Sequence, residues 1–166
     1  MIEWHRIFGL TLADFFTGSA YRVEVEKDLS LKQQFVDVVI IEWEAGGPIP
    51  ELPDGLEDLA RHNLLSYKSR HQPLEGWTRD ELLAYYVNYR RQASAAAKKL
   101  LPADDFRLYA VCTRMPKKLA SIVPLKPLKK GVYEIQWGMQ KIRIIVLSQV
   151  PKIKRNAIWQ FIQWHR

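Results

Sequence analysis

The run QFVDVVIIEW, residues 34–43, constrains the fold more than any other stretch, because nearly every position in it is apolar. A half-exposed strand alternates polar and apolar residues, whereas a run that is apolar on both faces is typical of a central strand covered on two sides. The chain is therefore expected to form a sheet with helices packed on it. Asp37 is the one charge inside FVDVVII, where a carboxylate is costly unless it is paired or binds a metal.

Other segments supply the remaining elements of a single α/β domain with a mixed sheet. Residues 2–16 have near-helical apolar spacing, and Gly18 follows as a helix stop. Strands are predicted at 21–29, 63–69 and 106–114, a strand pair at 132–137 and 141–150, and a last helix at 154–165. The clearest helix covers 78–101, with Thr78 as a predicted N-cap and Glu81 three residues on.

Composition sets the broad class of the protein. The chain has 166 residues, of which 48% are hydrophobic, and this fits one globular domain over 1–166. No apolar run approaches the roughly 18–20 residues that span a bilayer, so no membrane association is expected. The single cysteine, Cys112, excludes an internal disulfide, and a reducing cytoplasm is the simplest location.

Charge is distributed unevenly along the chain. Residues 1–113 carry 13 Lys/Arg and 17 Asp/Glu, whereas residues 114–166 carry 12 Lys/Arg and only Glu134. An acidic part joined to a basic part favours a polyanionic partner, of which DNA is the leading candidate. A basic surface retained for solubility is the alternative.

Asp37, Ser66 and Lys68 are the residues that could carry chemistry. Ser66 and Lys68 are two apart on one predicted strand, so they share a face, and pairing with the preceding strand would bring Asp37 to them. Glu24 and Glu26 share a face on the strand before that. Carboxylates beside a lysine are suited to Mg²⁺-assisted phosphodiester hydrolysis, with oxygen ligands on the metal and the lysine near the phosphate.

The order of elements and the residues LLSYKS resemble the PD-(D/E)XK nuclease superfamily. That resemblance implies a restriction-endonuclease-like mixed sheet flanked by helices, with Asp37 as metal-binding aspartate and Lys68 as catalytic lysine. Exonuclease-like branches carry Gln-x-x-x-Tyr on the next helix, where this chain has Glu81 and Tyr85. The layout over about 2–114 is similar to bacterial proteins described as recombination-promoting nucleases or putative transposases, and 115–166 would add a basic strand pair and helix.

The chain departs from the family pattern at Ser66, which stands where the second acid is expected. Serine is not an anionic metal ligand, so two interpretations stay open. In the first, Glu24 or Glu26 supplies the carboxylate, with Glu42 ranked lower because strand parity turns it away from Asp37. In the second, the site is inactive and the fold is kept for binding.

A set of basic residues could follow the phosphates of DNA, although each one alone is an ordinary surface charge. The candidates for nucleic-acid binding are Lys117, Lys118, Lys126, Lys129, Lys130, Lys152, Lys154 and Arg155, together with Tyr85. For the cluster Tyr85, Tyr86 and Tyr89, core packing is favoured over base stacking. Trp159 and Trp164 are expected to pack the last helix onto the domain; a homodimer contact or an exposed stacking platform is the alternative.

The sequence thus leads to one principal hypothesis and two alternatives. The principal one is a cytoplasmic, Mg²⁺- or Mn²⁺-dependent deoxyribonuclease that binds DNA and cleaves it, using Asp37, Ser66 and Lys68, with Glu24 or Glu26 on the metal. The first alternative is a nuclease-like module that binds nucleic acid or protein without catalysis. The second is a structural or regulatory dimer built on the Trp-rich C-terminal end.

Overall fold

The computed structural model of the protein describes residues 3–28, 35–43, 45–96 and 98–164. Within these ranges the helices are α1 (Trp4–Phe15), α2 (Gly76–Ala93), α3 (Lys117–Ala120) and α4 (Ala157–Trp164). The strands are β1 (Tyr21–Asp28), β2 (Phe35–Glu42), β3 (His62–Lys68), β4 (Phe106–Cys112), β5 (Lys126–Lys129), β6 (Val132–Trp137) and β7 (Gln140–Val146). Short 3₁₀ turns at Ala103–Asp105 and Lys154–Asn156 lead into β4 and α4.

The seven strands form one mixed sheet in the order β1-β2-β3-β4-β7-β6-β5. The first three strands are antiparallel neighbours, whereas β4 runs parallel to β3 and β7 runs parallel to β4. Strands β3, β4 and β7 therefore end at the same edge of the sheet, and β2, which runs the opposite way, begins there. We call this edge the C-terminal edge.

The sheet separates two apolar clusters, and this confirms the predicted α/β class. On one face α2 packs Leu82 and Tyr86 against strand residues such as Leu64 and Leu108. On the other face α1 and α4 pack Phe8, Leu12 and Trp159 against Ile40, Leu65 and Tyr109. Burying side chains of this size contributes about 1.5–3 kcal/mol each, so the two clusters hold the helices on the sheet.

Strand β2 is a central strand, as the apolar run predicts. It pairs with β1 on one side and β3 on the other, and Val36 and Val38–Ile41 are buried. Asp37 is the partly buried exception, with 18% of its side chain exposed. Its position near the start of β2 places it at the C-terminal edge.

Two predicted features of helix α2 are wrong. The helix begins at Gly76, so Thr78 is a buried residue inside its first turn, and the N-cap position belongs to Glu75. The helix ends at Ala93 rather than at 101, because Ser94 adopts an extended backbone while its hydroxyl donates to the carbonyl of Arg90 at 2.6 Å.

The basic segment between β4 and β6 contains α3 and the edge strand β5, neither of which is predicted from the sequence. The predicted pair β6 and β7 is therefore extended by β5 into a three-stranded antiparallel meander. Strand β7 joins this meander to β4. Helix α4 contacts α1; Trp159 is buried there, whereas 76% of Trp164 is exposed. Among the described residues, no helix has the length and apolar character needed to cross a bilayer.

Candidate functional site

Asp37 is bound to β3 through its carboxylate. Pairing between β2 and β3 ends at Val38 and Leu65, and the backbone N–H of Tyr67 then donates to Oδ2 of Asp37 at 2.6 Å. The Ser66 hydroxyl lies 3.4 Å from the same oxygen. A carboxylate that accepts a backbone hydrogen bond in this way is held in a defined orientation. Asp37 and Ser66 therefore meet, as the sequence predicts.

His5 of α1 contacts the other oxygen of this carboxylate. Its Nδ1 lies 2.9 Å from Oδ1 of Asp37, and its ring meets the edge of Tyr67 at a centroid distance of 6.1 Å. The contact with Asp37 raises the pKa of His5 above its ordinary value, against the opposing effects of burial and of the Lys68 charge. The protonated, positively charged form of His5 is therefore favoured beside Asp37.

Lys68 ends β3 on the α2 side of the sheet and meets that helix. Its Nζ lies 3.4 Å from Oε2 of Glu81, which in turn is hydrogen-bonded to Tyr85. Burial raises the pKa of Tyr85 to about 12, with further contributions from the charges of Glu81 and Asp37. Tyr85, predicted as a nucleic-acid contact, is thus half-buried beside the carboxylates and is held by Glu81.

Glu24 and Glu26, the two candidates for a second metal ligand, have different surroundings. Glu24 lies opposite Val39 and is ion-paired with Arg22 and with Lys27, whose Nζ is 3.0 Å from Oε2. Because Val25 pairs with Val38 and Lys27 with Val36, Glu26 lies opposite Asp37. Glu26 is exposed, with a left-handed φ of 50°. Glu26 is therefore the better placed of the two.

The carboxylates suit a particular kind of metal site. Within the described ranges, no three His, Cys, Asp or Glu side chains come together as a metal-binding group. Magnesium in phosphate-processing sites is commonly held by one or two carboxylates, with water and substrate phosphate completing its octahedral shell. Asp37 with Glu26 fits that arrangement, and it does not fit a cation held by protein ligands alone.

A basic groove opens beside Lys68 at the C-terminal edge. It lies between the segment after β3 and the segment from β4 to α3, and its volume is about 420 Å³. We call it the basic groove; its cationic lining residues are Lys68, Arg70, Arg114, Lys117 and Lys118. None of the other described residues lining it carries a carboxylate. The groove therefore adjoins the proposed catalytic lysine with a surplus of positive charge.

The other predicted phosphate contacts divide into two groups. Lys129 and Arg155 bind the buried carboxylate of Asp54, with Lys129 Nζ at 3.2 Å and Arg155 Nε at 2.9 Å from Oδ1. Asn156 Nδ2 donates to Oδ2 of Asp54 at 2.7 Å. We call these four residues the Asp54 cluster. Through these contacts Lys129 and Arg155 connect β5 and the 3₁₀ turn before α4 to the loop that carries Asp54. The second group consists of predicted phosphate contacts that are exposed: Lys126, Lys130, Lys152 and Lys154.

His5 was missed by sequence reasoning, although a signal for it exists. His5 precedes the buried Phe8 and Leu12 by three and seven residues, which is the spacing of one helix face. A histidine on a buried face needs a polar partner, and Asp37 is an acid in an apolar strand with the same need. On the other side of the sheet, helix α2 brings Glu81 to Lys68.

The comparisons with known proteins give no relative for this chain. No protein-family model matches it, no curated protein matches it, and no solved structure matches it.

Proposed function

We propose that the protein is a metal-dependent DNA endonuclease with a restriction-endonuclease-like core of the PD-(D/E)XK type. The order helix, three antiparallel strands, helix and a fourth strand parallel to the third supports that core. The observation that carries the proposal is that Asp37 is bonded to the part of β3 directly before Lys68, at one edge of the sheet. The basic groove supplies a surface for a polyanion beside them.

Each residue of the site has a defined part in the proposed hydrolysis. Asp37 and Glu26 would hold Mg²⁺ or Mn²⁺, and the bound metal would polarise the phosphate and generate a hydroxide-like nucleophile. The backbone N–H of Tyr67 orients Asp37, as outer partners of metal ligands commonly do. Lys68 would turn from Glu81 to the scissile phosphate and stabilise the charge that develops there. Ser66 would contribute its hydroxyl to the orientation of Asp37.

The second candidate function is a nuclease-like module that binds nucleic acid without cleaving it. Ser66 favours it, since the position next to Asp37 lacks the second acid. The contacts of Asp37 with Tyr67 N–H and His5 also suit a purely structural carboxylate that closes the end of the β2–β3 ladder. Under this hypothesis DNA binding would fall steeply with salt but would not be accompanied by hydrolysis. The buried Cys112 fits a reducing compartment such as the cytoplasm under either function.

Cleavage of plasmid DNA in Mg²⁺ and in Mn²⁺, with EDTA as the metal-free reference, distinguishes the two. Asp37→Ala is expected to lower the cleavage rate by more than about 100-fold, which exceeds the loss typical of a residue that only orients a ligand. Glu42→Ala is the matched control, because Glu42 is an exposed carboxylate at the other end of the same strand. Asp37→Asn can still accept the Tyr67 hydrogen bond, and it separates loss of the ligand from loss of folding.

Two outcomes would contradict the proposal. Cleavage that persists in both Asp37 variants would remove this site from the reaction. Wild-type protein that binds DNA but leaves it intact in both metals would establish the binding module instead.

A further inference from the structure

The basic groove has the charge and size of a site for a single nucleic-acid strand. Arg70, Arg114 and Lys117 are exposed along it, and these three have no carboxylate partner among the described ion pairs. Its volume of about 420 Å³ lies in the range of sites that enclose small molecules. A site of this size suits one backbone, whose phosphates can follow the cations.

Trp77 adds an aromatic surface at the start of α2, which adjoins the groove through Glu75 and Lys118. It is the second residue of α2, and 73% of it is exposed. The residue before it, Gly76, lies against Ile122, which is 62% exposed. Glu75 is bound to Lys118 at 2.6 Å, so the start of α2 is attached to the wall of the groove.

The helix spacing relates Trp77 to the proposed catalytic residues. Trp77 and Glu81 are four residues apart and therefore lie on one side of α2, about 6 Å apart at their Cβ atoms. Glu81 contacts Lys68, and Tyr85 follows on the same side one turn later. A base stacked on Trp77 would thus lie one helical turn from the position where Glu81 meets Lys68.

We propose that the basic groove binds an unpaired DNA strand, with phosphates on Arg70, Arg114 and Lys117 and a base stacked on Trp77. Base stacking on an exposed aromatic side chain requires a base that has left the duplex. The strand leads to Lys68, so the inference that it is the substrate strand rests on the proposed nuclease function. The inference about binding does not depend on that function.

The test is fluorescence anisotropy in EDTA, where metal-dependent cleavage cannot contribute. The probe is a fluorescein-labelled single-stranded oligodeoxynucleotide of about 16 nucleotides, compared with the same strand annealed to its complement. Wild-type protein is expected to bind the single strand more tightly. Trp77→Ala is expected to weaken single-strand binding about tenfold and to leave duplex binding unchanged, and Trp77→Phe retains most of the affinity.

The controls separate stacking and phosphate contacts from general effects. Trp164→Ala removes an equally exposed tryptophan from α4, and no change is expected. Arg114→Ala and Lys117→Ala are each expected to reduce the salt slope of single-strand binding by about 0.7. Equal affinity for duplex and single strand, or equal losses from Trp77→Ala and Trp164→Ala, would overturn the inference.

The same measurements separate this inference from the proposed function. Trp77-dependent strand binding by a protein that cleaves nothing in Mg²⁺ or Mn²⁺ leaves the groove assignment standing and removes the nuclease. Cleavage that depends on Asp37, together with single-strand binding that is indifferent to Trp77, leaves the nuclease standing and removes the groove assignment.

Discussion

The hydroxyl of Ser66 lies 3.4 Å from Oδ2 of Asp37, one position beyond the last paired residues of β2 and β3. A carboxylate at position 66 would therefore stand beside Asp37 and create a stronger cation site. Ser66→Asp is expected to lower the free energy of unfolding in EDTA by about 1–3 kcal/mol, because it buries a second negative charge beside Asp37. Added Mg²⁺ is expected to restore it by neutralising both charges.

Thermal unfolding with and without Mg²⁺ measures this effect. Ser66→Ala is the control, since it removes the hydroxyl without adding charge, and its melting temperature is expected to respond to Mg²⁺ no more than that of the wild type. A Ser66→Asp protein whose melting temperature also ignores Mg²⁺ would show that no cation can be held beside Asp37.

Lys68 and Glu81 form a partly exposed ion pair, and its loss should affect activity far more than stability. Lys68→Met retains the apolar stem of the side chain and is expected to reduce metal-dependent cleavage by at least about 100-fold. The free energy of unfolding is expected to change by less than about 1 kcal/mol, as for other pairs near solvent. Urea unfolding and plasmid cleavage give the two quantities.

The control for this experiment lies at the opposite edge of the sheet. Lys141 of β7 is 3.7 Å from Glu134, so Lys141→Met removes a comparable pair without touching the C-terminal edge. Its cleavage rate is expected to equal that of the wild type. If Lys68→Met cleaves as fast as Lys141→Met, Lys68 has no part in the reaction.

The buried carboxylate of Asp54 is expected to stabilise the packing of the C-terminal third of the chain. Its side chain is 2% exposed and accepts bonds from Lys129, Arg155 and Asn156. Asp54→Ala is expected to lower the free energy of unfolding by about 1–3 kcal/mol, because it leaves the buried amide of Asn156 without this acceptor and removes the shared partner of two cations. Glu51→Ala removes an exposed carboxylate that also contacts Arg155, at 3.3 Å, and is expected to cost less than about 1 kcal/mol. Equal losses in urea unfolding would contradict the structural role of Asp54.

The same residue predicts how stability changes in acid. Burial alone would raise the pKa of Asp54, but the bonds from Asn156, Arg155 and Lys129 outweigh it and hold the pKa below its ordinary value of 3.8. The stabilisation is therefore complete above pH 3.8 and is lost as the pH falls through the lower, folded-state pKa. Asp54→Asn is expected to show a smaller loss of stability than the wild type over this acidic range. Parallel curves for the two proteins in chemical unfolding would exclude the effect.

The sequence predicts the elements of this fold because their signals are local. The two-sided apolar run of β2 and the alternation in β1 depend only on which faces are buried. Strand β5 was missed because Lys126 and Lys129 flank a proline, and each of its four positions is exposed. A strand without a buried face gives no periodic pattern, so only its pairing with β6 defines it.

The site is predictable in part for the same reason. Asp37 and Lys68 stand out because each occupies an end of an apolar strand, and the parity of the strand brings Ser66 to Asp37. The helix partners His5 and Glu81 are harder to predict, because helix spacing can show which residues share a buried face but not which strand residue each of them meets. The bonds that Lys129 and Arg155 donate to Asp54 could not be predicted either, because 75 and 101 residues separate the partners along the chain.

Strand β5 bears on how copies of this protein could associate. It is an edge strand of the sheet, and such an edge normally offers unpaired backbone groups to a strand of another molecule. Here Pro127 has no N–H to offer, and Lys126 and Lys129 would bring positive charges together if two such edges met. Growth of the sheet by edge-to-edge addition is therefore opposed at the β5 edge.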